Sequence, residues 1–153
     1  PGTVPAGDEF QHPVTALDFY PTFAALAGAA IPAQKQLDGL NIWDDFLAGR
    51  DPRSGQPIYA MRHRNGFSDV AVRDGRWKAC RTYQKWKLFD IENDISENAD
   101  LSKQHPERLR EMVSQAEKWS QNHPQPLWYD SLKAESEWKR LGMPRHDATF
   151  QTN

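Results

Sequence analysis

Asp18-Phe19-Tyr20-Pro21-Thr22-Phe23-Ala24-Ala25-Leu26-Ala27-Gly28, followed by Leu37-Asp38-Gly39-Leu40-Asn41-Ile42, is the stretch from which the rest of the chain can be read. The first segment predicts a short helix. Asp18 is a candidate N-cap, because its carboxylate can accept from the free N–H groups of a first turn. Pro21 falls early enough for its missing N–H to cost little. Phe19, Phe23, Leu26 and Ala27 recur at three- and four-residue spacing and form one apolar face, while Gly28 supplies the left-handed residue that commonly ends a helix. This periodicity predicts a helix docked on a core, with side chains that pack rather than react.

The whole chain has 153 residues, the size of one modest domain, with 38% hydrophobic residues and a mean hydropathy of -0.83. A formal net charge of -2 gives no global drive toward nucleic acid, and no run of Lys and Arg is long enough to form a stripe, so no nucleic-acid partner is expected. The longest apolar run falls short of the ~20 residues that span a bilayer, so no membrane partner is expected either. Cys80 is the only cysteine, which excludes an internal disulfide. The chain opens at Pro1-Gly2 without a methionine, as expected of a processed chain or a piece of something longer.

Outward from the first helix, Pro1 to Pro13 reads as an extended lead-in. Ile42, Phe46 and Leu47 predict a helical turn that stops at Gly49, and Asp51-Pro52-Arg53-Ser54-Gly55-Gln56-Pro57 reads as a turn-rich linker. Beyond it the period changes to two. Ile58 to Met61 is a short β-prone run, Val70 and Val72 share a face of the next, and Asp74-Gly75 is the expected hairpin turn into Arg76 to Arg81. Trp86 to Ile91 makes a further strand. Leu109, Met112, Val113, Ala116 and Trp119 then trace a helical stripe behind Pro106, suited to cover one face of the sheet. The expected class is α+β: a small antiparallel sheet of three to four strands packed by a C-terminal helix, preceded by a short helical segment. Residues 124–153 are too aromatic for a disordered tail and are expected to wrap over the body or over a partner.

In order along the chain, these segments resemble the C-terminal part of a sulfatase. Sulfatases carry a D-x-x-P-T helix ending in A-G and then an L-D-G segment, as at Asp18 to Gly28 and Leu37 to Gly39. They continue with an R-x-G-x-W/Y-K hairpin, matched by Arg73 to Lys78, and an L-[YF]-D-L-x-x-D-P-x-E-x-x-N-L element, matched by Leu88 to Asp94, Glu97 and Leu101. Ile95 and Ser96 depart from that last pattern. Pro1 to Gly7 resembles the W-P-G-x-x-x-x-G stretch after the family's last catalytic strand. The resemblance spans residues 1 to 120. It implies the C-terminal subdomain of a larger α/β enzyme, divided as 1–56, the end of the catalytic-domain region; 57–123, sheet plus helix; and 124–153, a wrapping tail. The implied partner is an upstream catalytic domain of the same protein.

By that resemblance, the full enzyme hydrolyses sulfate esters of a small molecule or saccharide, using calcium and a formylglycine made from the Cys or Ser of C-x-P-x-R. Cys80 is followed by Arg81-Thr82-Tyr83-Gln84, so that motif is absent and no catalytic residue is expected here. No cofactor is expected in this chain. Asp44-Asp45 reads as a solvated helix face rather than an oxygen-ligand pair for a metal. The candidate substrate-binding residues are Arg62, His63 and Arg64, in a loop ending at Asn65-Gly66, because guanidinium forks pair two-point with sulfate and carboxylate. The plain alternative is an exposed turn. Trp43, Trp77, Trp86, Trp119 and Trp128 are read as core or interface anchors before sugar platforms. The other function classes are a stand-alone binding or interaction module and the matching part of a phosphonate or phosphodiester hydrolase. Self-association of the isolated chain through an uncovered apolar surface is also expected.

The isolated 153-residue chain is expected to hydrolyse no sulfate ester. Turnover by the purified chain in a chromogenic aryl-sulfate assay would overturn the reading that the catalytic atoms lie upstream.

Overall fold

The period-two pattern from Ile58 onward builds a four-stranded antiparallel meander: β1 (Ile58–Arg64), β2 (Phe67–Asp74), β3 (Trp77–Thr82) and β4 (Lys85–Asp90), in that spatial order. The structure is a computed structural model that describes residues 2–64, 67–82, 85–122, 131–141 and 150–152. Its chain divides into two compact units, Pro1–Ser54 and Gly55–Asn153.

In the second unit, α3 (Pro106–Ser120) covers one sheet face. Its predicted stripe is buried at Leu109, Met112, Val113 and Ala116, against Val70, Val72, Ala79, Trp86 and Leu88. Side chains such as Val72, Leu88 and Met112, completely shielded from solvent, each contribute about 1.5–3 kcal/mol relative to exposure. Trp119 closes one flank by stacking on Tyr59, with ring centroids 5.0 Å apart. Phe150 joins the same core beside Trp86. A further helix, α4 (Leu132–Leu141), precedes it in the chain. Trp128 lies outside the described residues.

The β2–β3 turn is one residue later than the sequence predicts. Asp74 pairs with Trp77 in the ladder, so the turn residues are Gly75 and Arg76. Gly75 takes a φ of 56°, a region glycine enters without penalty. Asp74 stays in the strand and accepts a hydrogen bond from Arg108 of α3 at 2.7 Å, tying the hairpin to its covering helix. The outer edge of β4 is closed by the following loop: the Leu101 N–H donates to the Leu88 carbonyl at 2.8 Å, and the Leu88 N–H donates to Asp100 Oδ1 at 3.2 Å. A covered edge cannot template pairing with another chain.

Two ion pairs tie the start of β3 to later segments of the chain. Arg76 pairs with Asp90, and Lys78 with Glu97. The Arg76 guanidinium, helped by the Asn93 side chain and backbone N–H, holds the Asp90 carboxyl down at about 2.

In the first unit, a 3-10 turn (Ala16–Asp18) runs into α1 (Phe19–Leu26), and α2 (Trp43–Ala48) ends at Gly49 in the left-handed conformation. Two expectations for α1 fail. Asp18 makes no side-chain cap to the helix. The apolar face is also not docked in this chain: the buried residues are Asp18, Pro21 and Thr22, while Phe19, Phe23 and Leu26 are exposed. The polar side of the helix is occupied by the Leu37 to Ile42 segment, which leaves the apolar side outward.

Because the folded carboxyl of Asp90 lies below the value of about 4 in an unfolded chain, its contribution to stability is complete above that pH and is lost as pH falls through about 2. Asp90→Asn is therefore expected to flatten the decline of the denaturant midpoint between about pH 5 and about pH 2. An unchanged slope in the variant would remove Asp90 from that role.

Candidate functional site

Positions 62 to 64 are not a loop but the last three residues of β1, with Arg62 opposite Asp69, His63 opposite Ser68 and Arg64 opposite Phe67. Strand alternation puts positions 62 and 64 on one face and position 63 on the other. The predicted trio is thus split between the two sides of the strand. Arg62 is exposed. The side chains of His63 and Arg64, and all of Asn65 and Gly66, lie outside the described residues.

Position 62 belongs to the sheet face opposite α3. There the register aligns Ala60, Ala71, Cys80 and Lys87 in one row across the strands. Arg73 and Lys78 are paired in the neighbouring row on one side, and Arg62 and Asp69 in the row on the other. Lys85 stands on the same face of β4 as Lys87. Small side chains form the middle of this surface, and cations flank it. Among the described residues, Arg62, Arg73, Lys85 and Lys87 make no ion pair, whereas Lys78 is neutralised by Glu97. Such a surface suits an anionic ligand.

Cys80 sits half-buried in that row. Burial pushes its thiol up, against the partial opposing pull of Lys78, which leaves little thiolate to act as a nucleophile. Asp45, on α2, pairs with the exposed Arg50 at 2.7 Å. Among the described residues, no group of three or more His, Cys, Asp or Glu is placed to hold a metal ion. No helix among them is long and apolar enough to cross a membrane. The first unit contains a groove of about 410 Å³ between the lead-in and α2, bordered by Phe10, His12 and Phe46 but also by Asp8 and Glu9, whose charges disfavour an anion.

A dense polar cluster lies elsewhere, at the start of α1, with Asp18, Thr22 and Arg53 buried at its centre and Thr15 and Leu40 half-buried around them. Asp18 Oδ2 accepts the Thr15 N–H at 2.7 Å and the Thr15 hydroxyl at 3.1 Å. Asp18 Oδ1 accepts the Leu40 N–H at 2.9 Å and also the Arg53 guanidinium. Thr22 donates its hydroxyl to the Leu40 carbonyl at 3.3 Å and accepts the Ile42 N–H at 3.1 Å. Burial pushes the Asp18 carboxyl upward. The N–H groups of Leu40 and Thr15 and the Arg53 guanidinium together outweigh it, so the group stays below its usual range. The loop approaches so closely that a Cβ on Gly39 would lie 2.0 Å from the Leu17 carbonyl oxygen. Arg53, read from sequence as part of a linker, is the missed member. A charged residue among Pro, Ser and Gly gives no local sign that it will be buried.

No family profile matches the chain. Among solved structures, Ps i-CgsB, a sulfatase, is 50% identical over 99% of this chain with a TM-score of 0.95, and one of its structures is a complex with k-i-k-neocarrahexaose. The chain is the C-terminal portion of a sulfatase. An uncharacterized sulfatase of Schizosaccharomyces pombe is 29% identical over 121 residues, 69% of this chain. The steryl-sulfatase of Homo sapiens is 28% identical over 89 residues, 58% of this chain. The chain spans 34% of Ps i-CgsB and 20% and 14% of these two sulfatases.

The sulfatase motifs in this chain are mutual contacts. The D-x-x-P-T and L-D-G segments meet through Asp18, Thr22, Gly39 and Leu40; the hairpin and the L-F-D-I element meet through Arg76 and Asp90. Asp18→Ala leaves Arg53 buried without its partner and is expected to cost about 3–5 kcal/mol. Gly39→Ala is expected to destabilise through its clash with backbone. Denaturant titration checks both, and a midpoint within error of the parent sequence for Asp18→Ala would show that the cluster does not hold the first unit together.

Proposed function

We propose that this chain is the supporting C-terminal end of a sulfuric ester hydrolase acting on a sulfated saccharide. The observation that carries the reading is the 50% identity to Ps i-CgsB across 99% of the chain, together with the neocarrahexaose held by that protein. On this reading, residues 1–56 complete the catalytic domain, residues 57–123 form the subdomain beside it, and residues 124–153 wrap around it. C-x-P-x-R does not occur in this sequence, and on this reading the parent enzyme's formylglycine and calcium would be held by its upstream part. No step of the reaction runs through side chains of this chain.

What this chain's residues do is hold the substrate. Arg62 and Arg64 border the saccharide from the end of β1, with His63 at the adjoining register position. The cation-rich face around Arg62, Arg73 and Lys87 supports this, because among the described residues these guanidinium and ammonium groups make no ion pair and can approach sulfate oxygens.

In the parent enzyme, Arg62→Ala is expected to raise KM for a sulfated carrageenan oligosaccharide about tenfold, equivalent to about 1.4 kcal/mol, with kcat changed less than about twofold. Steady-state kinetics checks this. An unchanged KM removes Arg62 from the substrate, and a parent protein that cleaves phosphodiesters or phosphonates but no sulfate ester overturns the whole reading.

A further inference from the structure

Lys85 and Lys87 of β4 are exposed on the sheet face opposite α3, at the other side of the sheet from the exposed Arg62 of β1. Ala60, Ala71 and Cys80 lie between them. Burial holds the Cys80 thiol uncharged, so this middle row is small and carries no negative group. The carboxylates nearest the face are already engaged. Asp69 favours the charge of the buried Arg81, Glu97 pairs with Lys78, and Asp100 accepts the N–H groups of Leu88 and Ser102. The whole chain carries a formal net charge of -2, so a positive face on it is a segregation of charge.

The fold does not require these three cations. Arg73 and Lys78 belong to the hairpin pattern, and Lys78 holds Glu97, but Arg62, Lys85 and Lys87 lie outside every sulfatase pattern in this chain. Lysines on an outer strand can deter pairing with another chain, yet at Leu88 that edge is already closed by Asp100 and Leu101. Neighbouring strands are about 4.8 Å apart and alternate residues of one strand about 7 Å, so Arg62 stands about 14 Å from the β4 lysines. One sulfate group is too small to meet all three, whereas successive anionic groups on one chain can.

We propose that this face anchors a polymeric sulfated saccharide away from the reacting ester, with Arg62 at one side and Lys85 and Lys87 at the other meeting different sulfate groups, and Ala60, Ala71 and Cys80 as the floor beneath the sugars between them. This rests on the reading of Arg62 at the substrate and goes beyond it. The sugars that reach β4 are not the ones being hydrolysed, so the face selects a long chain over a short ester. Each exposed ion contact is weak by itself. Once one sulfate is held, the next is presented at high effective concentration, and the contacts reinforce one another along the polymer.

The test is the dissociation constant of the intact parent protein for polymeric carrageenan, read by affinity electrophoresis at low salt. Lys85→Glu with Lys87→Glu is expected to raise it about tenfold, and the milder Lys85→Gln with Lys87→Gln, which guards against misfolding of the reversed pair, about threefold. Arg110→Glu with Lys118→Glu makes an equal change of charge on the exposed side of α3 and is expected to change it less than about twofold. Unchanged affinity in both β4 pairs overturns the proposal. An equal loss in the α3 pair also overturns it, because net charge alone is then responsible. So does equally tight binding of a DNA oligonucleotide, which marks a general polyanion patch, or displacement of the polymer by an equal concentration of inorganic sulfate. The measurement needs no turnover. Loss of affinity in the β4 pairs of a parent that hydrolyses no sulfate ester supports the anchor while sinking the proposed activity, and an active parent with unchanged affinity does the reverse.

Discussion

A carboxylate completely removed from water, at Asp18, sets the terms for the first unit of this chain. Burying such a group costs several kcal/mol unless its lone pairs are met and its charge is balanced. Here the Thr15 and Leu40 N–H groups, the Thr15 hydroxyl and the Arg53 guanidinium do both. These partners come from before α1, from the Leu37 to Ile42 segment and from the end of the unit, so one side chain gathers three separated pieces of sequence. Because little apolar surface is buried within Pro1–Ser54, this polar convergence takes over the organising role that a hydrophobic core plays in the second unit. It also decides which way α1 faces.

The second unit has the more familiar arrangement. One sheet face and the stripe of α3 exclude water from Val72, Leu88 and Met112, and ion pairs at the margins fix how the hairpins and the loop after β4 sit on that core. The opposite face is different in kind. Its centre is small and its borders are largely cationic, and the Lys78 to Glu97 pair lies along it. The residues that stabilise the subdomain and those available for an anionic ligand are thus segregated to opposite sides of four strands, as strand alternation permits.

Most of the candidate site was only half legible in the sequence. Arg62, His63 and Arg64 stand out as a basic triplet, but strand alternation puts position 63 on the other face from positions 62 and 64. The loop reading failed because the β-prone signal of Ile58 to Met61 fades at Arg62, although backbone pairing with β2 carries the strand to Arg64. Arg53 was invisible, since its burial depends on a carboxylate 35 positions earlier. A capping Asp and a cross-linking Asp look identical in one dimension, and Asp18 is the second kind. Its actual partners lie at Leu40 and Arg53.

By itself the sequence determined the elements and their kind: a meander from period-two alternation and a glycine turn, a covering helix from the stripe behind Pro106, and, through the order of short motifs, the place of this chain within a larger enzyme. These features are legible because they arise from local periodicity and local backbone preference. Tertiary structure alone decided which side of α1 is buried, that Arg53 is interior, and that positions 62 and 63 face opposite ways. Periodicity tells which residues share a face, but what that face meets is settled by the partner available in space, and for α1 the partner inside this chain is a polar loop.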